Sequence, residues 1–290
     1  MASLRDIRTR IKSVKSSEKI TKAMKMVAAS KLRRAQEEVK NARPYAQEVD
    51  EVVGRIAKRL ENQGALPHPL LEVHPVLKRV ELLVLTSERG LCGAFNSNVI
   101  RRASRFLKEM GEVHDEIRVS TLGRKGFEAM KREGVNIRTN YAGVLEHPSY
   151  LKATQIADEL SESYVTDHVD ALYLVYNKFK SAISQEVVVK RLLPIQPVEV
   201  LNDPVDYIYE PSKSELLEQL LPMHLATQLY QSFLESVASE HGARMSAMDS
   251  ATRNAKEVIS SLTLKYNRAR QAAITSELVE IISGAEALAG

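Results

Sequence analysis

Apolar residues recur at helical spacing along the C-terminal stretch from Met223 to Gly290. The repeat steps by four residues at first and then by three and four. Its positions are Leu225, Leu229, Phe233, Val237, Met248, Ala251, Ala255, Val258 and Leu262. The stretch contains no proline, and before its last residue, Gly290, its only glycines are Gly242 and Gly284. It therefore predicts one helix of roughly 100 Å, which needs a partner because a single apolar stripe cannot bury itself.

The first sixty residues carry a second apolar stripe, which predicts that partner helix. Leu4, Ile7, Ile11 and Val14 alternate spacings of three and four, as in a coiled-coil seam. The pattern changes phase before Ile20, Met24 and Val27, which predicts a local stutter, and it resumes from Leu32 to Leu60. Pro44 lies inside the stripe and is expected to bend the helix without ending it.

The middle of the chain alternates short apolar runs with amphipathic segments. Strands are predicted at 79–86, 116–122, 135–140, 169–177 and 185–192, and helices at 98–110, 124–132 and 151–165. This alternation predicts an α/β domain with a largely parallel sheet, whose last two strands form a hairpin. Four prolines between 194 and 211 then mark a connector.

The predicted fold class is therefore α/β: a long antiparallel coiled coil of the N- and C-terminal helices with an inserted Rossmann-like domain. Residues 1–62 form the first coiled-coil helix and residues 75–194 the α/β domain. Residues 195–212 form the connector, and residues 213–290 the second coiled-coil helix. The helices are expected to be antiparallel, because the domain is inserted between them.

Composition narrows the functional classes. Hydrophobic residues make up 44% and charged residues 27% of the 290, as in a folded globular protein. The single cysteine, Cys92, excludes an internal disulfide and a multi-cysteine metal site. No run of 18 apolar residues occurs, so no membrane span is expected. Residues 1–34 hold eleven Lys or Arg against two acids, which suggests an anionic partner.

No catalytic constellation emerges from the residues. The loop Ser87–Ala94 follows the first strand, where Rossmann-like domains bind phosphates, but it lacks the spacing of both glycine-rich phosphate motifs. A structural or partner-facing loop is therefore favoured there. Cys92 has no recognisable base, and the seven histidines show no metal-ligand spacing. No catalytic residue, metal or cofactor is predicted.

Two other classes stay open on these grounds. A coiled-coil protein could bind nucleic acid through the basic first helix, with strongly salt-dependent affinity. The apolar stripe on the same helix weakens that hypothesis. A Rossmann-type enzyme with helical arms would require a nucleotide to bind the α/β domain.

Several widely separated segments resemble one family, the gamma subunits of F-type ATP synthases of the bacterial type. They are Lys19–Leu32 (KITKAMKMVAASKL), the loop Ser87–Asn96 with its Gly-Leu-Cys-Gly, Glu240–Ala255, Tyr266–Gln271 and Ile274–Ala285 (ITSELVEIISGA). The resemblance covers essentially the whole length. The last segment is similar to the family's C-terminal signature, with Ile274, Thr275, Glu277, Glu280, Gly284 and Ala285.

The resemblance implies a central rotor stalk. In that family the helix pair turns inside a hexamer of alpha and beta subunits, while the α/β domain meets the epsilon subunit and the membrane c-ring. Proton flow turns the rotor and drives ATP synthesis at beta, so this chain would be a non-catalytic subunit of a proton-transporting ATPase. No nucleic acid, cofactor or small-molecule substrate of its own is implied. The lack of a transit peptide favours a peripheral position on the cytoplasmic face of a bacterial plasma membrane.

The resemblance also assigns contacts residue by residue. By position in the motifs, Met24, Lys25, Arg270, Gln271 and Thr275 resemble bearing and catch contacts with beta, and Arg89 and Cys92 would face the lower lobes of beta. Tyr207 and Glu210 resemble the segment that meets epsilon and the c-ring. The basic residues expected along the approach to an acidic loop of beta are Lys19, Lys22, Lys25, Lys31, Arg33 and Arg34. Gly242 is either a soft point in the second helix or a change without consequence.

Overall fold

The computed structural model describes residues 3–62, 68–74, 77–111, 116–166, 169–196, 210 and 212–289. Helix α1 spans Leu4–Asn62 without a break, although Pro44 lies inside it. Helix α5 spans Lys213–Ala289 and contains Pro222. Both long helices predicted from the apolar stripes are therefore present, and α1 continues past Pro44 as expected.

The predicted stutter in α1 is wrong. Partly or fully buried positions alternate by three and four through Val14, Glu18, Thr21, Lys25 and Ala28, with no change of phase. Ile20 and Val27, which were assigned to the seam, are each 57% exposed. The prediction followed apolar residues, whereas the seam here passes through polar ones.

The buried stripe of α5 also differs in detail from the predicted one. From Met245 onward, the buried stripe follows the partly or fully buried positions Met245, Met248, Thr252, Ala255, Ile259, Leu262, Tyr266, Ala269 and Ala273, and Ala247, Asp249 and Ala251 beside it are partly buried as well. The stripe keeps an unbroken heptad spacing. Val258, which was assigned to the stripe, is 42% exposed.

A five-stranded sheet lies between the two helices in sequence, in the order β3-β2-β1-β4-β5. Its strands are β1 (Arg79–Leu85), β2 (Glu116–Leu122), β3 (Ile137–Tyr141), β4 (Ala171–Phe179) and β5 (Gln185–Leu193). The first four are parallel, and β5 pairs antiparallel with β4. The predicted α/β class and the final hairpin are confirmed.

Three helices complete the α/β domain: α2 (Phe95–Gly111), α3 (Arg124–Arg132) and α4 (Tyr150–Thr166). Helices α2 and α3 bury Val99, Phe106 and Met130 in one core with β1 residues such as Leu82. The central strand is apolar because it is covered on both faces, as its unbroken apolar run predicts.

A charged side chain is nevertheless buried on that central strand. Glu81 is 1% exposed and accepts hydrogen bonds from Ser120 Oγ at 2.7 Å and Arg138 Nε at 2.9 Å. Arg138 also reaches Glu159 of α4 at 3.2 Å. This ladder ties three neighbouring strands and one helix together.

The chain divides into two compact units. The first comprises residues 1–28 and 245–290, and the second comprises residues 29–244. These units follow packing, whereas the domains predicted along the sequence follow the type of element. The predicted boundaries at 62, 75, 194 and 212 stay predictions.

Candidate partner-binding surfaces

In the first unit, α1 and α5 are antiparallel and polar groups join them. Thr21 Oγ1 lies 2.8 Å from Thr252 Oγ1, and Lys25 Nζ donates to Asp249 Oδ1 at 2.6 Å. The position on α1 rises while its partner on α5 falls, which defines the antiparallel direction. The Lys25 ammonium lowers the pKa of Asp249. Buried or half-buried polar pairs in a helix seam fix which residues face each other.

Two of the predicted contact residues lie in this polar segment. Met24 and Lys25 are both partly buried, and Lys25 already has a carboxylate partner within its own chain. The other basic residues expected to meet an acidic loop are exposed: Lys19, Lys22, Lys31, Arg33 and Arg34.

Three apolar residues on the same helix were missed as candidates. Ile20, Met26 and Val27 are 57%, 60% and 57% exposed, next to the exposed lysines. Large apolar side chains in such numbers on one helix segment point to contact with another chain. The heptad register, extended through Glu18 and Thr21, would have placed them outside the seam.

The far end of α5 has a different character. Ala273 is partly buried, but every side chain from 274 to 285 is exposed. Exposed apolar residues there are Ile274, Leu278, Val279, Ile281 and Ile282. Antiparallel pairing through residues 25 and 249 places Leu4 opposite about residue 270. Beyond that point α5 therefore extends as a single helix with an uncovered apolar surface.

The predicted contacts on α5 lie on this end. Arg270, Gln271 and Thr275 are exposed, and Thr275 Oγ1 donates back to the Gln271 carbonyl at 2.9 Å. The family-signature residues Ile274, Glu277, Glu280, Gly284 and Ala285 are exposed as well. Arg270 lies 21 residues beyond Asp249, or about 30 Å along the helix. The structure thus separates the Met24–Lys25 group from the Arg270–Thr275 group instead of bringing them together.

In the second unit, the loop after β1 is held by its own polar groups. Asn96 Oδ1 accepts from the Ser87 amide at 2.9 Å. Glu88 accepts from the backbone amides of Arg124 at 3.1 Å and Gly143 at 2.7 Å. The carboxylate of Glu88 therefore caps the start of α3 and fixes the loop at the carboxyl end of β1.

The side chain of Cys92 is buried within this loop. It is 2% exposed, and its sulfur lies against Ser87 and Asn96. Burial raises the pKa of the thiol. The loop instead exposes Leu91 (64%), which has a φ of 63° that a non-glycine residue rarely adopts. Arg89 is also exposed and reaches Glu146 at 3.4 Å.

Helix α5 crosses the carboxyl ends of β1 and β4, where doubly wound domains hold their ligands. Arg244 donates to the Gly90 carbonyl at 3.1 Å, and Ser239 donates to the Asn177 carbonyl at 3.2 Å. A Cβ on Gly242 would lie 2.9 Å from the Ala182 carbonyl oxygen. Gly242 is thus a point of close backbone approach, which differs from both readings suggested by the sequence.

Partly buried titratable groups line this crossing. Burial raises the pKa of Glu240, whose carboxylate pairs with Arg244 at 2.7 Å. Burial, with the nearby charges of Arg244 and Lys31, lowers the pKa of His241 to about 4. Both shifts follow mainly from the desolvation of these two α5 side chains.

Only one of the two residues predicted to meet epsilon and the c-ring lies within the described residues. Glu210 is exposed, and Tyr207 lies outside the described residues. In the described part of the chain, no group of three or more His, Cys, Asp or Glu side chains is arranged to hold a metal ion. No helix in that part is both long and apolar enough to cross a membrane.

Comparison with known families matches the chain along nearly its whole length. A family model described as ATP synthase matches residues 3–288. The ATP synthase gamma chain of Geobacter metallireducens is 53% identical over 292 residues and is covered completely, as is this chain. That of Anaeromyxobacter sp. strain Fw109-5 is 52% identical, with 99% of this chain and 100% of the relative covered.

Solved structures give the same fold. The central stalk and c-ring structure of the Tetrahymena thermophila mitochondrial ATP synthase contains a chain that is 27% identical, with a TM-score of 0.60. The match covers 80% of this chain and 99% of that one. A chain of the Euglena gracilis mitochondrial ATP synthase aligns over 98% of this chain and 94% of its own length, with a TM-score of 0.68. Because the identity is 20%, this second similarity supports the fold alone.

Proposed function

The chain belongs to the family of ATP synthase gamma chains, and on that premise we propose how it acts as the central rotor stalk of an F-type ATP synthase. Rotation of a membrane c-ring driven by proton flow turns this chain, and its asymmetric helices change the beta subunits in sequence. The observation that carries the proposal is the antiparallel helix pair, which ends in a single exposed helix beyond Ala273.

The paired helices are suited to transmitting torque. Moving one elementary charge through the membrane yields about 2.3 kcal/mol per 100 mV, so several steps must accumulate for each ATP. A stiff element can store that energy between steps, whereas a flexible linker would dissipate it. Side-by-side helices joined by Thr21–Thr252 and Lys25–Asp249 resist sliding along each other.

The exposed end of α5 is proposed to turn inside the alpha and beta hexamer. Its bare apolar residues, such as Leu278 and Ile282, offer a slim surface that can slide within a sleeve. Arg270, Gln271 and Thr275 are proposed to make the polar contacts with beta there. On α1, about 30 Å from that end, Met24 and Lys25 are proposed to contact beta together with the exposed lysines and Met26.

The loop after β1 is proposed to meet the lower part of beta through Arg89 and the exposed Leu91. Cys92 supports this surface from inside, because its side chain is buried. Glu210 and Tyr207 are proposed to face epsilon and the c-ring. The chain then lies on the cytoplasmic face of a bacterial plasma membrane.

The chain is proposed to be non-catalytic, with the reacting groups on its partners. What supports this is the position of α5, which covers the strand ends where a nucleotide would have to bind. Its contacts there are made by Gly242, Arg244 and Ser239. Titration calorimetry of the chain with ATP and with NAD should show no binding tighter than millimolar. Micromolar binding would favour an enzyme instead.

Assembly tests the main proposal. A tagged copy of the chain, expressed in its host, should co-purify with beta and epsilon and should support ATP-driven proton pumping in membrane vesicles. A matched truncation that ends at Ala273 should assemble yet lose coupling. Recovery of the tagged chain alone, or salt-sensitive binding to DNA in place of these subunits, would contradict the proposal.

A further inference from the structure

Within the second unit, α5 packs an apolar row against the rest of the domain. Leu221, Leu225, Leu229 and Phe233 are all 0% exposed. Apolar packing is strong but has no preferred direction. By itself it opposes a large turn of the helix, which would expose this face, but it sets the angle within a small range only weakly.

A chain of polar contacts crosses this apolar surface. Lys190 of β5 donates its Nζ to Gln228 Oε1. Gln228 Nε2 donates to Asp50 Oδ1 of α1 at 2.6 Å, and His224 Nε2 lies 2.5 Å from the same oxygen. We call Asp50, His224, Gln228 and Lys190 the anchor. It joins both long helices to the edge strand of the sheet.

The charges around the anchor are arranged to hold it. Burial lowers the pKa of Lys190, and the carboxylates of Asp50 and Glu235 oppose that shift by favouring its charged form. Glu235 also accepts from Tyr176 of β4 at 3.3 Å. A hydrogen bond to a charged group in such a site is directional and is costly to leave unmade.

We propose that the anchor is the torsional lock of the stalk, which fixes the rotational angle of α1 and α5 on the sheet so that torque passes between them. This inference rests on the proposed rotary function. The residues of the anchor are positioning residues, which act by holding the helices at one angle. Directional bonds from two helices to one strand add resistance to small changes of angle, which the apolar contact opposes only weakly.

The test measures stiffness in the assembled complex. A probe is attached to α2 through Lys108→Cys, which is exposed, while the native Cys92 is buried and poorly reactive. The complex is held at one angle with a non-hydrolysable ATP analogue, and the angular spread of the probe is recorded. Lys190→Met removes the anchor's charged end but keeps the length of the side chain.

The expected result is a wider angular spread with Lys190→Met and a lower ratio of pumped protons to hydrolysed ATP. Lys190→Arg, which keeps a donor, should restore much of both. The matched control is Lys180→Met on the same hairpin, which breaks the exposed pair with Glu186 at 2.6 Å and should change neither. Gln228→Met, which cuts the anchor at its next link, should reproduce the defect.

An unchanged spread in both Lys190→Met and Gln228→Met overturns the inference, as does equal broadening in the control. Neither result touches the rotary function, because the unmodified complex still rotates and pumps. A failure of the unmodified chain to assemble or rotate would instead overturn the proposed function.

Discussion

Gly242→Ala provides a direct test of how α5 meets the α/β domain. On helix propensity alone, alanine in a helix interior is about 1 kcal/mol more favourable than glycine. In the structure, however, the new Cβ would lie 2.9 Å from the Ala182 carbonyl oxygen and 3.4 Å from its carbonyl carbon. These are backbone atoms, so no side-chain rotation can relieve the contact.

The magnitude follows from the two opposing effects. Forcing one methyl group into a filled contact costs about 1–3 kcal/mol, against the gain of about 1 kcal/mol in propensity. We therefore expect Gly242→Ala to lower the free energy of unfolding by about 1 kcal/mol. Urea unfolding followed by circular dichroism measures it, and hydrogen exchange should show faster opening of the hairpin between β4 and β5.

Gly284→Ala is the matched control, because it lies in the same helix and an added Cβ there meets no atom within 4 Å. It should raise helix content and cost no stability. The reasoning is refuted if Gly242→Ala stabilises the chain as an open helix site would, or if its hairpin exchanges at the original rate.

Three further perturbations test other contacts. Lys25→Glu should weaken the coupling of proton pumping to ATP hydrolysis. Adding Asp249→Lys, which re-forms the ion pair with the charges exchanged, should restore thermal stability but not coupling. Full recovery of coupling would assign Lys25 to the internal pair alone. Arg138→Met should cost about 3 kcal/mol in urea unfolding, because it leaves the buried carboxylate of Glu81 without its charge partner; a loss near zero would contradict this. The pKa of His241 is lowered to about 4 in the folded chain, so the unfolded chain binds the proton first and stability should fall as pH drops from about 6.5 towards 4. His241→Gln should reduce that fall, and an unchanged pH profile by thermal melting would exclude the effect.

Fold class could be predicted because it depends on periodicity. The unbroken apolar run of β1 is typical of a strand covered on both faces, and the structure places it at the centre of the sheet. The long stripes indicated two helices, and an inserted domain indicated that they are antiparallel. Prolines at 44 and 222 do not end these helices, because packing along the rest of each helix outweighs one lost hydrogen bond.

The contact surfaces were less accessible to sequence reasoning. The resemblance assigned Cys92, with Arg89, to the surface that faces beta. In the structure Ser87 and Asn96 surround its side chain, which is buried, and the neighbouring Leu91 is exposed. Ile20 and Val27 looked like seam residues because they are apolar. The seam runs through Thr21 and Lys25, since their partners on α5 are polar as well.

The amino-acid sequence by itself determined the two helices, the alternation of strands and helices, and the motifs that mark the family, because these are local patterns repeated along the chain. Tertiary structure decided what depends on two distant segments meeting. It assigned Gly242 to close contact with Ala182, made Asp249 the partner of Lys25, and brought Asp50, Gln228 and Lys190 together. Such contacts depend on the relative position of whole elements, and no short stretch of sequence contains that information.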